Sequence, residues 1–405
     1  MTSDVRVSRR LILQAGAATS ALGAPGFLLA QPATIKIGLV HPVSGGLAYS
    51  GGQGRLGCQM AIDEINAAGG IKSMGGAKLE AALGDSQSRP EVGVSEVERL
   101  HQAGVAAYVG CFSSAIALPA TQAAAKYNTP FMIDVGVSDQ IVRRGLKNVF
   151  RLAPGFGKCV DDAIVGLGEI NKAAGGVAKT AVLVHEESEF GTGTAKLLAD
   201  RLPGINVQVA EIIKHANPTR DFSNVALRIK SLKPDLVIMS NYQNEYVLLA
   251  RSIHQNKVPK KAIYSVIGGG ASNMKFVREF NAAAQGIMDC NHWIDPRKPR
   301  SQRLVSALDA AKVDLTYEVL LNYSNVLLAI DAIEKAGSGD RDKINQALTN
   351  STFDGHVMPY GPTKFVNGQN EGARPINTQI QGMKVEVVYP PEYATAKMVF
   401  PVPLG

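Results

Sequence analysis

Val109-Gly110-Cys111-Phe112-Ser113-Ser114-Ala115 joins an apolar strand, 104–109, to a helix, 115–127, through a short polar turn. The same strand–turn–helix unit recurs in both directions. Upstream, Ile35-Lys36-Ile37-Gly38-Leu39-Val40 reads as a strand, and Gln53 to Asn66 carries Leu56, Met60, Ala61 and Ile65 at helical spacing. Leu79, Ala81 and Leu83 mark the next strand, and Pro90 opens a helix striped by Val94, Val97 and Leu100. Downstream comes strand 130–134, and then the pattern restarts: helix 157–173, strand 179–184, helix 191–202, strand 206–213, helix 221–232, strand 235–239, helix 243–256 and strand 262–266. Longer helices follow at Ser301–Lys312, Thr316–Ala336 and Asp340–Thr349, before a tail of short strands. Near-continuous apolar strands alternating with amphipathic helices predict an α/β fold: two lobes, each a doubly wound parallel sheet covered by helices on both faces.

In such sheets ligands bind beyond the carboxyl ends of the strands. The turn at 110–115 sits there, and its free N–H groups and two hydroxyls suit a carboxylate. Plain helix capping by Ser113 or Ser114 explains the same residues.

Composition narrows the function classes. The net charge of +7 falls to +5 once Arg6, Arg9 and Arg10 are set against Asp4 and the first 30 residues removed. With no basic run and 6% aromatic residues, nucleic acid is a poor partner. Cys58, Cys111, Cys159 and Cys290 never pair as CxxC, which excludes finger or ribbon metal sites and favours buried free thiols over a disulfide. The start of the chain, with Arg9-Arg10, Leu11-Ile12-Leu13, an Ala/Gly/Leu stretch and Leu28-Leu29-Ala30, resembles a twin-arginine export signal over residues 1–30. The mature chain is thus expected in the periplasm.

Enzyme signatures are missing. Gly52-Gln53-Gly54-Arg55-Leu56-Gly57 fits GxGxxG, yet the preceding strand ends about eleven residues earlier, too far for a dinucleotide turn. The expectation is a flexible loop feeding a helix. Gly191-Thr192-Gly193-Thr194-Ala195-Lys196 lacks phosphate-loop spacing and reads as a helix start. No nucleophile elbow, HExxH or His pair appears, so neither catalytic residues, a metal nor a cofactor is expected.

Three segments carry a family resemblance: Gly38 to Gly46 leading into Ala61-Ile62-Asp63-Glu64-Ile65-Asn66-Ala67-Ala68-Gly69-Gly70-Ile71; Gly110 to Ser114 with Pro119-Ala120; and His185 to Gly193. They resemble the leucine/isoleucine/valine-binding group of periplasmic substrate-binding proteins, over nearly the whole mature chain. The resemblance implies a type I fold with three crossovers between lobes, divided as 31–152 plus 286–362 and 153–285 plus 363–405. It also implies a monomer that closes on a small molecule and delivers it to the permease subunits of an ABC importer. By the same resemblance, Ser113 and Ser114 hold the ligand carboxylate, Gly136, Val137 and Ser138 form a second ligand loop, and Tyr49 and Ser50 line the cleft. From the other lobe, Phe190 and Tyr242 supply aromatic wall.

One position departs from the group. Where its amino-acid binders carry an acid for the ligand ammonium, this chain has Ile267. A desolvated ammonium without an anionic partner is costly. Either Glu187, Glu189 or Glu245 supplies the charge, or the ligand is an aromatic or aliphatic acid, an amide or urea; the balance leans against a plain amino acid. A ligand-sensing receptor subunit on the same fold is the alternative, with an exported enzyme a further one.

Overall fold

The computed structural model describes residues 34–403. The expected signal at 1–30 lies outside them. No helix among the described residues is long and apolar enough to cross a membrane.

Strands β1 (Ile35–His41), β2 (Leu79–Asp85), β3 (Ala107–Gly110), β4 (Phe131–Ile133) and β5 (Val149–Arg151) form the parallel body of one sheet. Between them run α1 (Ala48–Ala67), α2 (Pro90–Gln102), α3 (Ser114–Ala125) and α4 (Gln140–Arg143). The second sheet holds β6 (Thr180–Glu186), β7 (Gln208–His215), β8 (Leu236–Ser240), β9 (Ala262–Val266) and β10 (Met288–Asn291), again all parallel. Its helices are α5 (Phe156–Ala173), α6 (Glu189–Arg201), α7 (Ser223–Leu232), α8 (Gln243–Gln255) and α9 (Met274–Phe280). Three further helices, α10 (Pro299–Ala311), α11 (Tyr317–Ala336) and α12 (Arg341–Thr349), return to the first lobe. The short strands β11 (Phe365–Val366) and β12 (Gln369–Asn370) then extend the first sheet, and β13 (Ile376–Gln381) and β14 (Lys384–Tyr389) the second.

The sheet orders are β11-β12-β5-β4-β3-β1-β2 and β14-β13-β10-β9-β8-β6-β7, so the two lobes repeat one doubly wound plan. The chain passes between them after β5, after β10 and after β12, giving three crossovers. Two expected boundaries move. Residues 286–291 belong to the second lobe, because β10 pairs with β9 and β13. Residues 363–370 belong to the first, because Gln369 pairs with Arg151.

The GxGxxG stretch is not a loop. Gly52 to Gly57 lies inside α1, which already starts at Ala48 and takes in Tyr49 and Ser50. Two of its glycines serve close packing: a Cβ on Gly54 would fall 2.8 Å from Asn322 Nδ2, and one on Gly57 2.4 Å from the Val319 carbonyl oxygen, both on α11. Side-chain loss at these positions is what lets α1 lie against the buried helix α11. All four cysteines are buried and free, as composition suggested.

Candidate functional site

A small, partly open space lies between the lobes, lined by Phe112, Ser114, Val135, Val137, Phe190, Asn241, Tyr242, Ile267 and Tyr317. Most of these residues follow the carboxyl ends of β3, β4, β8 and β9, where open α/β sheets place their ligands. None is ionised at neutral pH.

In the first lobe, the turn after β3 is built on a strained residue. Phe112 has φ +64°, and its N–H donates to both carboxylate oxygens of buried Asp134 at 2.9 and 3.1 Å. Asp134 in turn lies 3.4 Å from His41 Nε2, which contacts Asn322 Oδ1 at 2.8 Å. This frame sets the start of α3. The N–H groups of Ser114 and Ala115 have no hydrogen-bond partner among the described residues. Ser114 Oγ accepts from the N–H of Val137 at 3.2 Å and of Ser138 at 3.1 Å. Its own hydrogen is therefore free to donate. Capping does not explain the serines, since neither hydroxyl caps α3.

The loop after β4 is tied down by Arg151, a fully buried guanidinium that donates to the carbonyls of Ser138 (2.7 Å) and Gly136 (3.3 Å) and to Gln369 Oε1 (2.8 Å). It thus links a cleft loop to two crossovers. Gly136 is buried behind the lining, and Ser138 points elsewhere: its hydroxyl donates to Glu189 Oε1 across the cleft at 2.7 Å.

The second lobe supplies mostly apolar wall. Phe190, in the first turn of α6, and Tyr242, just before α8, stack obliquely at 5.4 Å, and Phe112 meets Tyr242 at 5.7 Å. Ile267 has φ +55°, unusual for a β-branched residue, and is held by its N–H to the Cys290 carbonyl at 2.9 Å. The next residue's N–H approaches buried Asp289 at 3.4 Å; burial pushes that carboxyl up to about 7.

A directed chain of hydroxyls crosses between lobes. Ser188 Oγ donates to Glu186 Oε1 at 2.7 Å, so it accepts from the Tyr242 hydroxyl at 3.3 Å, which accepts from Ser113 Oγ at 3.2 Å. Glu186 also takes the N–H groups of Ser188 and Gly191, both at 2.6 Å, at the start of α6, and burial raises its pKa. Ser113 is therefore a lobe-to-lobe contact, not part of the lining.

Of the residues named from sequence, Ser114, Val137, Phe190, Tyr242 and Ile267 meet around one space. Tyr49 lines a separate outer groove with Lys275 and Glu279, its hydroxyl 3.3 Å from Asn273 Oδ1. Ser50 is buried beside Glu318. None of the three candidate acids lines the space: Glu187 is exposed, Glu189 receives Ser138, and Glu245 is buried with Oε1 3.3 Å from the Thr219 N–H. Sequence reading missed Phe112, Val135, Asn241 and Tyr317. The first two flank strands already recognised, and Asn241 directly follows one; Tyr317 arrives from a distant helix and left no signal. Among the described residues no group of His, Cys, Asp and Glu could hold a metal.

The sequence profile of the periplasmic binding proteins matches residues 34–381. The chain belongs to that family. The Leu/Ile/Val-binding protein BraC3 of Rhizobium johnstonii is 31% identical over 83% of this chain and 88% of its own length. The Leu/Ile/Val-binding protein homolog 8 of Brucella abortus is 28% identical over 98% of this chain and all of its own. Among solved structures, Streptococcus pneumoniae LivJ in complex with isoleucine superposes with a TM-score of 0.75 at 23% identity, covering 88% of this chain and 100% of that one. A Rhodopseudomonas palustris solute-binding protein with 3,4-dihydroxybenzoic acid gives 0.76 at 18% identity, over 87% of this chain and 95% of that one. These structural likenesses concern the fold of the binding protein.

Proposed function

We propose that this binding protein captures a small carboxylate-bearing solute in the periplasm, after twin-arginine export, and presents it in the closed form to the permease subunits of an ABC importer. One observation carries the reading: a space between the lobes without a charged side chain in its lining, whose polar part is the unpaired start of α3 and the free Ser114 hydroxyl. Charge-assisted bonds from such donors are worth about 1.5–3 kcal/mol each. With apolar burial against Phe190 and Ile267 they reach the roughly 5 kcal/mol needed to move a mostly open population to a mostly closed one.

Relatives named for leucine, isoleucine and valine support a ligand of amino-acid size. The neutral lining and Ile267 support an acid without an ammonium, of the kind that the benzoate and 3,4-dihydroxybenzoic acid complexes of this fold contain. The protein works as a monomeric binder and not an enzyme: the cleft presents hydroxyls and amides, with no base beside a nucleophile. A thermal-shift screen against amino acids, aromatic acids, short-chain acids, amides and urea tests this. A carboxylate should raise the melting temperature by mass action. A response confined to urea or neutral amides would overturn the reading.

A further inference from the structure

Asn241 is fully buried, lines the space between the lobes together with Ser114, and directly follows β8 in the second lobe. Its main-chain carbonyl accepts from the Gly269 N–H at 2.9 Å. The orientation of its amide follows from its neighbour. His215 Nδ1 lies 2.8 Å from the Ala216 carbonyl, which can only accept, so Nδ1 carries the proton. The other ring nitrogen, Nε2, is then a lone pair, and it lies 2.6 Å from the Asn241 amide nitrogen, which donates to it. Burial lowers the pKa of His215, keeping the ring neutral. The amide therefore cannot turn over, and Asn241 Oδ1, buried and without any protein partner, is left as an unsatisfied acceptor on a residue that lines the cleft. A buried acceptor without a donor is destabilising, and a matching ligand group would recover that cost.

We propose that Asn241 is a specificity-determining residue of the cleft, selecting a carboxylic acid whose far end carries a neutral hydrogen-bond donor, a hydroxyl or a primary amide. The inference rests on the carboxylate reading and adds the chemistry of the opposite end. The donor is neutral because none of the lining side chains is anionic, and a desolvated ammonium needs such a partner. His215 acts as a positioning residue, fixing which face of the amide the ligand meets.

Calorimetry on the exported protein tests this with isosteric pairs: 4-hydroxybenzoate against 4-methylbenzoate, and 5-amino-5-oxopentanoate against 5-methylhexanoate. In at least one pair the donor-bearing acid should bind about tenfold more tightly or better. Asn241→Leu should bring that ratio to within about twofold. Asn241→Asp, which keeps an acceptor, should preserve its sign; both variants are checked for an unchanged melting transition. Tighter binding of the methyl-bearing member in both pairs, or a preference that survives Asn241→Leu, would overturn the inference. If other carboxylates bind but no member of either pair does, the inference fails alone. If no carboxylate binds at all, the reading beneath it fails as well.

Discussion

The two walls of the cleft share a plan but differ in chemistry. Each sets a non-glycine residue at positive φ beyond a parallel strand, Phe112 after β3 and Ile267 after β9, with a buried aspartate near the loop amide. In the first lobe the amide bonds Asp134 twice, and the turn it shapes leaves N–H groups free at the start of α3. In the second the contact to Asp289 is longer, and the lining is aromatic and aliphatic surface with one amide side chain, Asn241. The difference teaches that one fold, used twice, can divide recognition: on the proposed reading, one half grips a charge and the other selects shape and a hydrogen-bond partner.

The sharpest way to break this comparison is to remove the first-lobe carboxylate. Asp134→Ala strands the Phe112 N–H and the neighbouring His41, and should cost about 3 kcal/mol of unfolding free energy in urea titration. A loss near zero would mean that the turn holds itself.

The second-lobe carboxylate should be visible in pH dependence. Burial raises Asp289 to about 7, and Glu318, at the start of α11, likewise to about 7. Between about pH 5 and pH 7 the native state then keeps protons that the unfolded chain has released. Each of these two carboxyls should therefore lower stability as pH rises through that window, by at most about 1.4 kcal/mol per pH unit. Asp289→Asn should remove its own share and make the slope less negative than in the parent protein, as followed by chemical unfolding at stepped pH.

Ser114→Ala removes the donor to the ligand and orphans the Val137 and Ser138 amides. Its expected effect is about tenfold weaker binding of the acid that responds in the thermal-shift screen, with folding retained. Ser138→Ala deletes the bond to Glu189 across the cleft and the long one that its hydroxyl accepts from the Gln140 N–H at 3.3 Å, so calorimetry should find a loss of about two- to threefold.

The fold was legible because buried parallel strands are written as apolar runs and helices as stripes. The strand from Ala262 to Val266 was read residue for residue. Crossovers were harder: β10 and the β11–β12 pair are short, and the sheet that β12 joins is set by pairing Gln369 with Arg151, over two hundred positions away. The glycines of α1 misled for a related reason, since their role is contact with α11, which local spacing does not reveal. At the site, backbone-determined positions such as Ser114 and Ile267 were readable. The turn of Ser138 toward Glu189 and the orientation of Asn241 depend on partners from other strands and helices.

The most direct test of the central claim is the distance between spin labels on Arg89→Cys and Glu187→Cys, exposed positions in the loops after β2 and β6 on opposite lobes. The native thiols are all buried, so labelling falls on the introduced ones. Saturation with the acid that most raises the melting temperature should shift a broad distribution to a shorter, narrower one. Identical distributions with and without that acid would contradict capture by closure.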